Sequence, residues 1–305
     1  MKTVEELLTG IIPPLCTPLD ENLDVDTESL SKLVEFQLSA GVNALFLLGS
    51  SGEATFLTDD QRDTVIDTAV RTVAGQVPVL AGVLDSATAR VVEKARRAAA
   101  LGADAIVAVG PTVATHPNEV ARHFRLIAAA VDIPQVIYNI GQTRVDIPVV
   151  DELVADGSIT AIKDSTGDFT ALRSLIAIAR ENPGFTVATG SELLVDAAFL
   201  MGSNGAVPGL ANVDPHSYVR LADLCKRGQW DDARALQDGL VRLFDVQLTA
   251  DPKTKGTSSS FRGGIKTALM IRGIIRTNAT SQPHQRLSPD EVDAVAAVLS
   301  ELGLR

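Results

Sequence analysis

The sequence predicts an α/β fold, a TIM or (β/α)8 barrel with a C-terminal helical extension, and three observations carry that expectation. Eight short apolar runs rich in Val and Ile recur along the 305 residues, each followed by a turn and a longer stretch of helical periodicity. The helical stretches open on Asp, Thr or Ser and stop at Gly, as capping chemistry requires. No glycine fingerprint follows the first run, where a doubly wound open sheet would normally carry one. Strands that alternate with helices pair in parallel through right-handed crossovers, and eight such units close on themselves.

The runs, in order, are GIIPPLC (10–16), ALFLLG (44–49), VPVLAGV (77–83), AIVAVG (105–110), PQVIYN (134–139), ITAIK (159–163), FTVATG (185–190) and GAVPG (205–209). Between them lie helix signals such as DTESLSKLVEFQLSAG and TDDQRDTVIDTAVRTVAG. After the eighth run come three more helical patterns, PHSYVRLADLCKRGQWDDARALQDGLVRLF, GIKTALMIRGII and SPDEVDAVAAVLSELG. One closing helix cannot use up this tail. The expected division is therefore a catalytic barrel over 1–225 and a helical extension over 226–305 packed on it. The stretch TADPKTKGTSSSFRGG (249–264) reads as a linker, with a surface loop as the alternative.

Composition narrows the function. A formal net charge of -11 leaves no basic stripe to meet phosphates, which excludes a nucleic-acid or anionic-membrane surface and favours a small-molecule ligand. No run of about 20 residues is free of charge or turn residues, and the opening MKTVEELLTG lacks the apolar core of a signal peptide. A cytoplasmic protein is expected. Cys16 and Cys225 stand far apart in no Cys-x-x-Cys pair and read as ordinary buried thiols. The four histidines, His116, His123, His216 and His284, share no strand end, so no metal site is expected.

Barrel chemistry sits at the C-terminal ends of the strands. Of eight lysines, only Lys163 terminates an apolar run, in TAIKDSTG. An ammonium taken out of water either finds a counter-ion or gives up its proton. The second outcome makes Lys163 a nucleophile able to form a Schiff base with a ketone, whose iminium is an electron sink for the adjacent carbon bond. The first makes it a structural ion pair with Asp164 or Glu53. Tyr138 ends the neighbouring run and could move protons in the same cavity; the alternative is a core tyrosine bonded to a backbone carbonyl. The turn Gly49-Ser50-Ser51-Gly52-Glu53 offers N–H groups and two hydroxyls at the mouth of a helix, which suits a carboxylate.

This combination resembles the dihydrodipicolinate synthase and N-acetylneuraminate lyase family of pyruvate-dependent class I aldolases. The resemblance runs from IIPPLCTPLDENLDVD through GSSGE, VIYNI, AIKDSTGD and GSNGAVPGLAN to the helical tail. It implies a pyruvate or other 2-keto acid substrate, a Schiff base on Lys163, and Tyr138 as general acid and base. It implies that Ser51 holds the pyruvate carboxylate, with Gly49 and Gly52 shaping the turn, and that Ser50 hydrogen-bonds the tyrosine hydroxyl. Backbone at Ala206 and Val207 would lie against the keto acid. A homotetramer with no metal or organic cofactor is also implied.

Two places depart from the synthases of that family. Thr112 and Val113 replace the aromatic pair after the fourth strand that completes a proton relay between subunits. In YNIGQTRVDIP, Gly141 stands where proline is usual, and Arg144 is the nearby arginine that could meet an acidic second substrate. After the seventh strand Glu192 could accept a hydrogen bond from a substrate hydroxyl, as acidic residues do in neuraminate lyases, or could simply favour the next helix start. The leading expectation is a lyase that cleaves or forms a C–C bond next to pyruvate on a 2-keto-3-deoxy sugar acid or related hydroxylated 2-keto acid. The runner-up is a 4-hydroxy-tetrahydrodipicolinate synthase condensing pyruvate with aspartate semialdehyde. A Schiff-base dehydratase and a non-catalytic keto-acid-binding barrel complete the set.

Overall fold

The computed structural model describes residues 7–113 and 116–305. Eight strands form one sheet: β1 (Gly10–Ile11), β2 (Leu45–Leu47), β3 (Val79–Gly82), β4 (Ala105–Ala108), β5 (Gln135–Asn139), β6 (Ala161–Asp164), β7 (Thr186–Thr189) and β8 (Gly205–Ala206). They alternate with α1 (Thr27–Ser39), α2 (Asp59–Val73), α3 (Thr88–Ala100), α4 (Pro117–Ala128), α5 (Ile147–Ala155), α6 (Phe169–Glu181), α7 (Val195–Met201) and α8 (Pro215–Lys226). Three helices follow: α9 (Trp230–Leu243), α10 (Thr257–Ile271) and α11 (Pro289–Glu301). The fold is the expected (β/α)8 barrel with C-terminal helices. The signal-peptide reading of the first ten residues falls partly on 1–6, outside the described residues. Among the described residues no helix is long and apolar enough to cross a membrane.

All neighbouring strands are parallel, in the order β1-β8-β7-β6-β5-β4-β3-β2. Every residue of β2 to β8 is buried, which is why the strands read as continuous apolar runs. The polar exceptions at their C-terminal ends are Asn139, Lys163, Asp164 and Thr189. Each strand is shorter than its run. The clearest case is β1, expected over 10–16. Pro13 and Pro14 have no N–H to give a ladder, so the seam to β2 is carried by single bonds, Asn43 N to Ile11 O (2.9 Å), Phe46 N to Pro13 O (3.0 Å) and Leu15 N to Phe46 O (2.8 Å). Asn212 locks the same corner. Its side chain accepts from Cys16 N (2.9 Å) and donates to Pro14 O and Gly209 O (2.8 Å each).

Local chemistry sets the helix ends. Thr58 and Gln61 form a capping box on α2, and Asp26 caps α1 by accepting from Ser29 N. In the tail, Gly228 at φ +71 stops α8 and separates it from α9. The stretch expected as a linker is half helix: α10 begins at Thr257, and Arg262 to Leu269 are all buried. Its two glycines serve close packing. A Cβ on Gly264 would meet Val246 O at 1.9 Å, and one on Gly263 would press on Leu287 at 3.1 Å. This helix lies over the C-terminal mouth of the barrel and reaches into it.

Candidate active site

Strand register brings the first two candidates together. Tyr138 on β5 pairs with Lys163 on β6, which pairs with Ala188 on β7. Lys163 is 5% exposed, and its Nζ stands 4.1 Å from the centre of the Tyr138 ring and 5.1 Å from that of Phe46 on β2. Both ion-pair partners considered for it are engaged elsewhere. Asp164 accepts from Asn139 Nδ2 (3.2 Å) and Thr166 Oγ1 (3.1 Å), and burial pushes its carboxyl up against the opposing pull of those bonds. Glu53 pairs with Lys266 of α10, both fully buried. Among the described residues Lys163 forms no salt bridge, and two aromatic faces lie beside its ammonium. Room for its stem depends on Gly190, where a Cβ would lie 3.0 Å from Lys163 Cε and 1.8 Å from Ser165 Oγ.

Tyr138 is not the carbonyl-bonded core tyrosine. Its hydroxyl lies 3.2 Å from Ser50 Oγ, and Phe46 meets its ring edge to face at 6.0 Å. Ser50 and Ser51 sit in a turn bounded by two residues at positive φ, Leu48 (56°) and Glu53 (57°). Gly49 and Gly52 shape that turn. A Cβ on Gly49 would strike the Phe46 ring at 2.8 Å, and one on Gly52 would meet Leu15 O at 2.9 Å. The expected helix mouth is absent here. Residues 54–57 continue as turns and α2 starts only at Asp59, so any anion at this turn is met by local N–H and O–H groups without a helix dipole.

These side chains open onto a cavity of about 360 Å3. Lys163, Tyr138, Ser50 and Ser51 line it, and Val207 and Glu192 face them. Ala206 is buried in β8, and Val207 N donates to Thr189 O (2.7 Å), so this backbone forms the wall behind. Glu192 accepts from Gln247 Nε2 (2.8 Å) and Leu210 N (3.2 Å). Burial pushes its carboxyl up to about 7, against those hydrogen bonds and the charge of Lys163. The start of α7 does not use it, because Gln237 Oε1 accepts from Val195 N (3.0 Å) there.

Arg144 and the two departures Thr112 and Val113 lie elsewhere. Arg144 is exposed and donates to Asp168 Oδ2 (3.2 Å) at the N-terminus of α6, so the structure does not bring it into the cavity. Its loop turns away through a 3-10 turn at Gly141–Thr143. Thr112 donates to Ser86 Oγ (3.1 Å), and Val113 is 82% exposed. Sequence reasoning missed the cavity wall made by Thr257, Ser258, Phe261 and Arg262 of α10. Arg262 donates from Nε to Ser50 O (3.0 Å), and its Cζ stands 5.5 Å from the Phe56 ring. Both cysteines are free and buried, and burial pushes the Cys16 thiol up to about 12. Among the described residues no group of three His, Cys, Asp or Glu side chains could hold a metal ion.

A parallel (β/α)8 barrel with a buried lysine at a strand end, in no salt bridge among the described residues, is the arrangement of a class of enzyme, the class I carbon–carbon lyases. Comparison with known proteins gives the family. The model of the Dihydrodipicolinate synthetase family matches residues 7–302, and the chain belongs to that family. It is 32% identical over 262 residues to a 4-hydroxy-tetrahydrodipicolinate synthase of Pelobacter propionicus, covering 84% of this chain and 89% of that one. An uncharacterised DapA-like lyase of Halobacterium salinarum is 31% identical over 301 residues, 97% of this chain and 95% of its own. Among solved structures, YagE, a prophage protein of Escherichia coli belonging to the dihydrodipicolinic acid synthase family and bound to pyruvate, superposes with a TM-score of 0.90 at 26% identity, covering 97% and 99% of the two chains. The dihydrodipicolinate synthase of Bacteroides thetaiotaomicron reaches 0.90 at 29% identity, over 96% and 98%.

Proposed function

We propose that the protein makes or breaks a C–C bond next to pyruvate through a Schiff base on Lys163. The observation that carries this reading is the buried Lys163, free of any salt bridge among the described residues, beside a tyrosine whose hydroxyl meets Ser50. Attack of the Lys163 amine on the C2 carbonyl gives a carbinolamine. Tyr138 gives its proton to the departing hydroxyl, which leaves as water, and the iminium forms. The phenolate then takes a proton from C3, and the electron pair enters an enamine ready to attack an aldehyde. Ser50 donates to the phenolate while it is charged, and Ser51 and the turn's N–H groups hold the carboxylate. Backbone at Ala206 and Val207 supports the bound acid. The scheme uses no metal and no organic cofactor.

For the second substrate the reading is a hydroxylated aldehyde, the product or source being a 2-keto-3-deoxy sugar acid or a relative of it. Glu192 supports this, since it is in the cavity wall while Arg144 is outside. The names of the relatives favour a second reading, condensation with aspartate semialdehyde. Turnover of aspartate semialdehyde at a rate matching the best sugar-derived aldehyde would establish that second reading. Dehydration through the same iminium would show as water loss with no aldehyde released.

Borohydride trapping with pyruvate, followed by mass spectrometry of the Lys163 peptide, tests the chemistry. A reduced pyruvyl adduct on Lys163 is expected. Its absence from folded protein that binds pyruvate overturns the Schiff-base reading.

The assembly we propose is a homotetramer, and the place of work the cytoplasm. Leu193 and Leu194 just before α7, Leu200 on it, Val241 on α9 and Leu248 after the turn that follows α9 are exposed, and α7 packs on α9, which supports self-association. A dihydrodipicolinate synthase variant described as monomeric has the same fold, with a TM-score of 0.89 at 25% identity, so the fold leaves assembly to the surface.

A further inference from the structure

We propose that Arg262, on the helical extension, is a positioning residue for the proton transfers of Tyr138, holding the Ser50 hydroxyl against the phenol. This rests on the Schiff-base reading above. The geometry begins at the backbone. Ser50 is held at its carbonyl by Arg262 Nε (3.0 Å) and presents its hydroxyl to Tyr138 OH (3.2 Å). No strand pairing or helix fixes residues 50–57, which are turns. Glu53 N donates to Ser50 O (3.3 Å) and Ala54 N to Gly49 O (3.3 Å) within the turn, and the rest of its hold comes from side chains.

Thr17 Oγ1 donates to Gly52 O (2.8 Å) and Arg62 Nη1 to Ala54 O (3.0 Å), and two residues of α10, four apart on one face, hold Ser50 and Glu53. Lys266 ties the turn at its far end through the buried pair with Glu53, and also donates to Ala279 O (2.7 Å). Glu53 accepts from Ser281 N (2.6 Å) as well, so both members of the pair are fixed. Arg262 ties the near end, and it is itself immobilised. It is 8% exposed, its Nη1 donates to Ser258 O (3.4 Å) and lies 3.3 Å from His284 Nε2, and Phe56 lies under the guanidinium. His284 Nδ1 in turn lies 2.9 Å from Ser281 O, which assigns that hydrogen to Nδ1 and leaves Nε2 to accept from Arg262. A guanidinium has the planar fork for these three directions, and an ammonium does not.

The chemical reason for such a brace lies in the proton steps. Tyr138 must release a proton to the carbinolamine oxygen and then take one from C3, so its oxygen alternates between neutral and charged. Ser50 must follow it as acceptor and donor. A displacement of about 1 Å in such a pair costs on the order of 100-fold in rate. Condensation at Lys163 releases a water that can itself carry the proton when Tyr138 is misplaced, whereas loss of the C3 proton from the iminium needs a base held against that carbon. Removing Arg262 therefore separates two steps that a merely structural residue would impair together.

The experiment follows both steps without a second substrate. Adduct formation is read by borohydride trapping at Lys163. Proton transfer is read by deuterium entering the pyruvate methyl group in D2O, followed by proton NMR. Arg262→Met and Arg262→Lys are compared with the unaltered enzyme, with thermal unfolding as the check on folding. In Arg262→Met, trapped adduct within about 2-fold of the unaltered enzyme and exchange slowed on the order of 10-fold to 100-fold are expected, with partial recovery of exchange on adding guanidinium. Arg262→Lys is expected to stay slow in exchange while folding normally. Exchange within about 2-fold of the unaltered enzyme in either folded variant overturns the inference, as does an equal fall in trapping and exchange that guanidinium does not restore. Absence of adduct in the unaltered enzyme overturns the Schiff-base reading instead.

Discussion

At the scale of single residues, the site turns on which groups are left without partners. Tyr138→Phe keeps the ring over Lys163 and deletes only the hydroxyl that meets Ser50. Stability should fall by about 0.5–1.5 kcal/mol, the usual worth of one hydrogen bond, while kcat falls about 100-fold to 10,000-fold. Chemical denaturation and steady-state kinetics read the two. Gly190→Ala should leave a folded protein that traps pyruvate at least about 10-fold more slowly, because the added Cβ crowds the Lys163 stem. Glu192 makes a pH prediction. Its folded value lies above its ordinary one, so the folded state holds the proton more tightly than the unfolded chain does. The stability linked to that proton is fully present below about pH 4.5 and is lost as pH rises through about 7. Glu192→Gln should remove this slope from a plot of melting temperature against pH.

Much at this scale was legible beforehand, because the polar ends of apolar runs stand out against their neighbours. Lys163, Tyr138, Ser50 and Ser51 do meet around one cavity. Arg144 stands outside that cavity for a physical reason. Sequence nearness to Tyr138-Asn139 says nothing of loop direction, and Asp168 offered a closer carboxylate. Glu53 and Asp164 were both open as partners of Lys163 until Lys266, Asn139 and Thr166 were seen to take them.

Among the elements, α10 was the hardest to read and matters most to the cavity. A segment with Thr257-Ser258-Ser259-Ser260 and Gly263-Gly264 has poor helix propensity, and propensity was overruled by packing that only glycine permits. A helix buried on almost every side also shows no amphipathic stripe to betray it. Gly264→Ala should therefore destabilise despite its better propensity, since its Cβ would overlap Val246 O. Lys266→Met strands Glu53 as a buried unpaired charge, and a loss of about 3–5 kcal/mol in urea unfolding is expected. Adding Glu53→Gln to that variant should recover part of the loss. A double variant no better than the single one would mean the pair is not the source of the cost.

For the whole molecule, the repeating strand and helix order was enough to specify the barrel, because each parallel pairing demands a crossover and leaves few topologies. Assembly was not legible in that order. It depends on which side chains the outer helices and the turns at their ends expose, and Leu200 on α7 and Leu248 after α9 are 64% and 63% exposed. Exchanging both for Asp should lower the mass seen by sedimentation if these helices join subunits, without altering the far-ultraviolet dichroism. An unchanged mass would place the contact elsewhere.

The Asn212 corner also bears on how the chain comes into being. Its bonds to Cys16 and Pro14 join residues 196 and 198 positions apart, and β1 pairs with β8 rather than with its successor. A ribosome adding roughly 5–20 residues per second needs about 10–40 s between the two sides of this closure. Over that time the first strand waits with an open edge, and Ser50 waits longer still for Arg262. Newly made protein should thus acquire its secondary structure well before its catalytic power, with activity the last property to appear during synthesis.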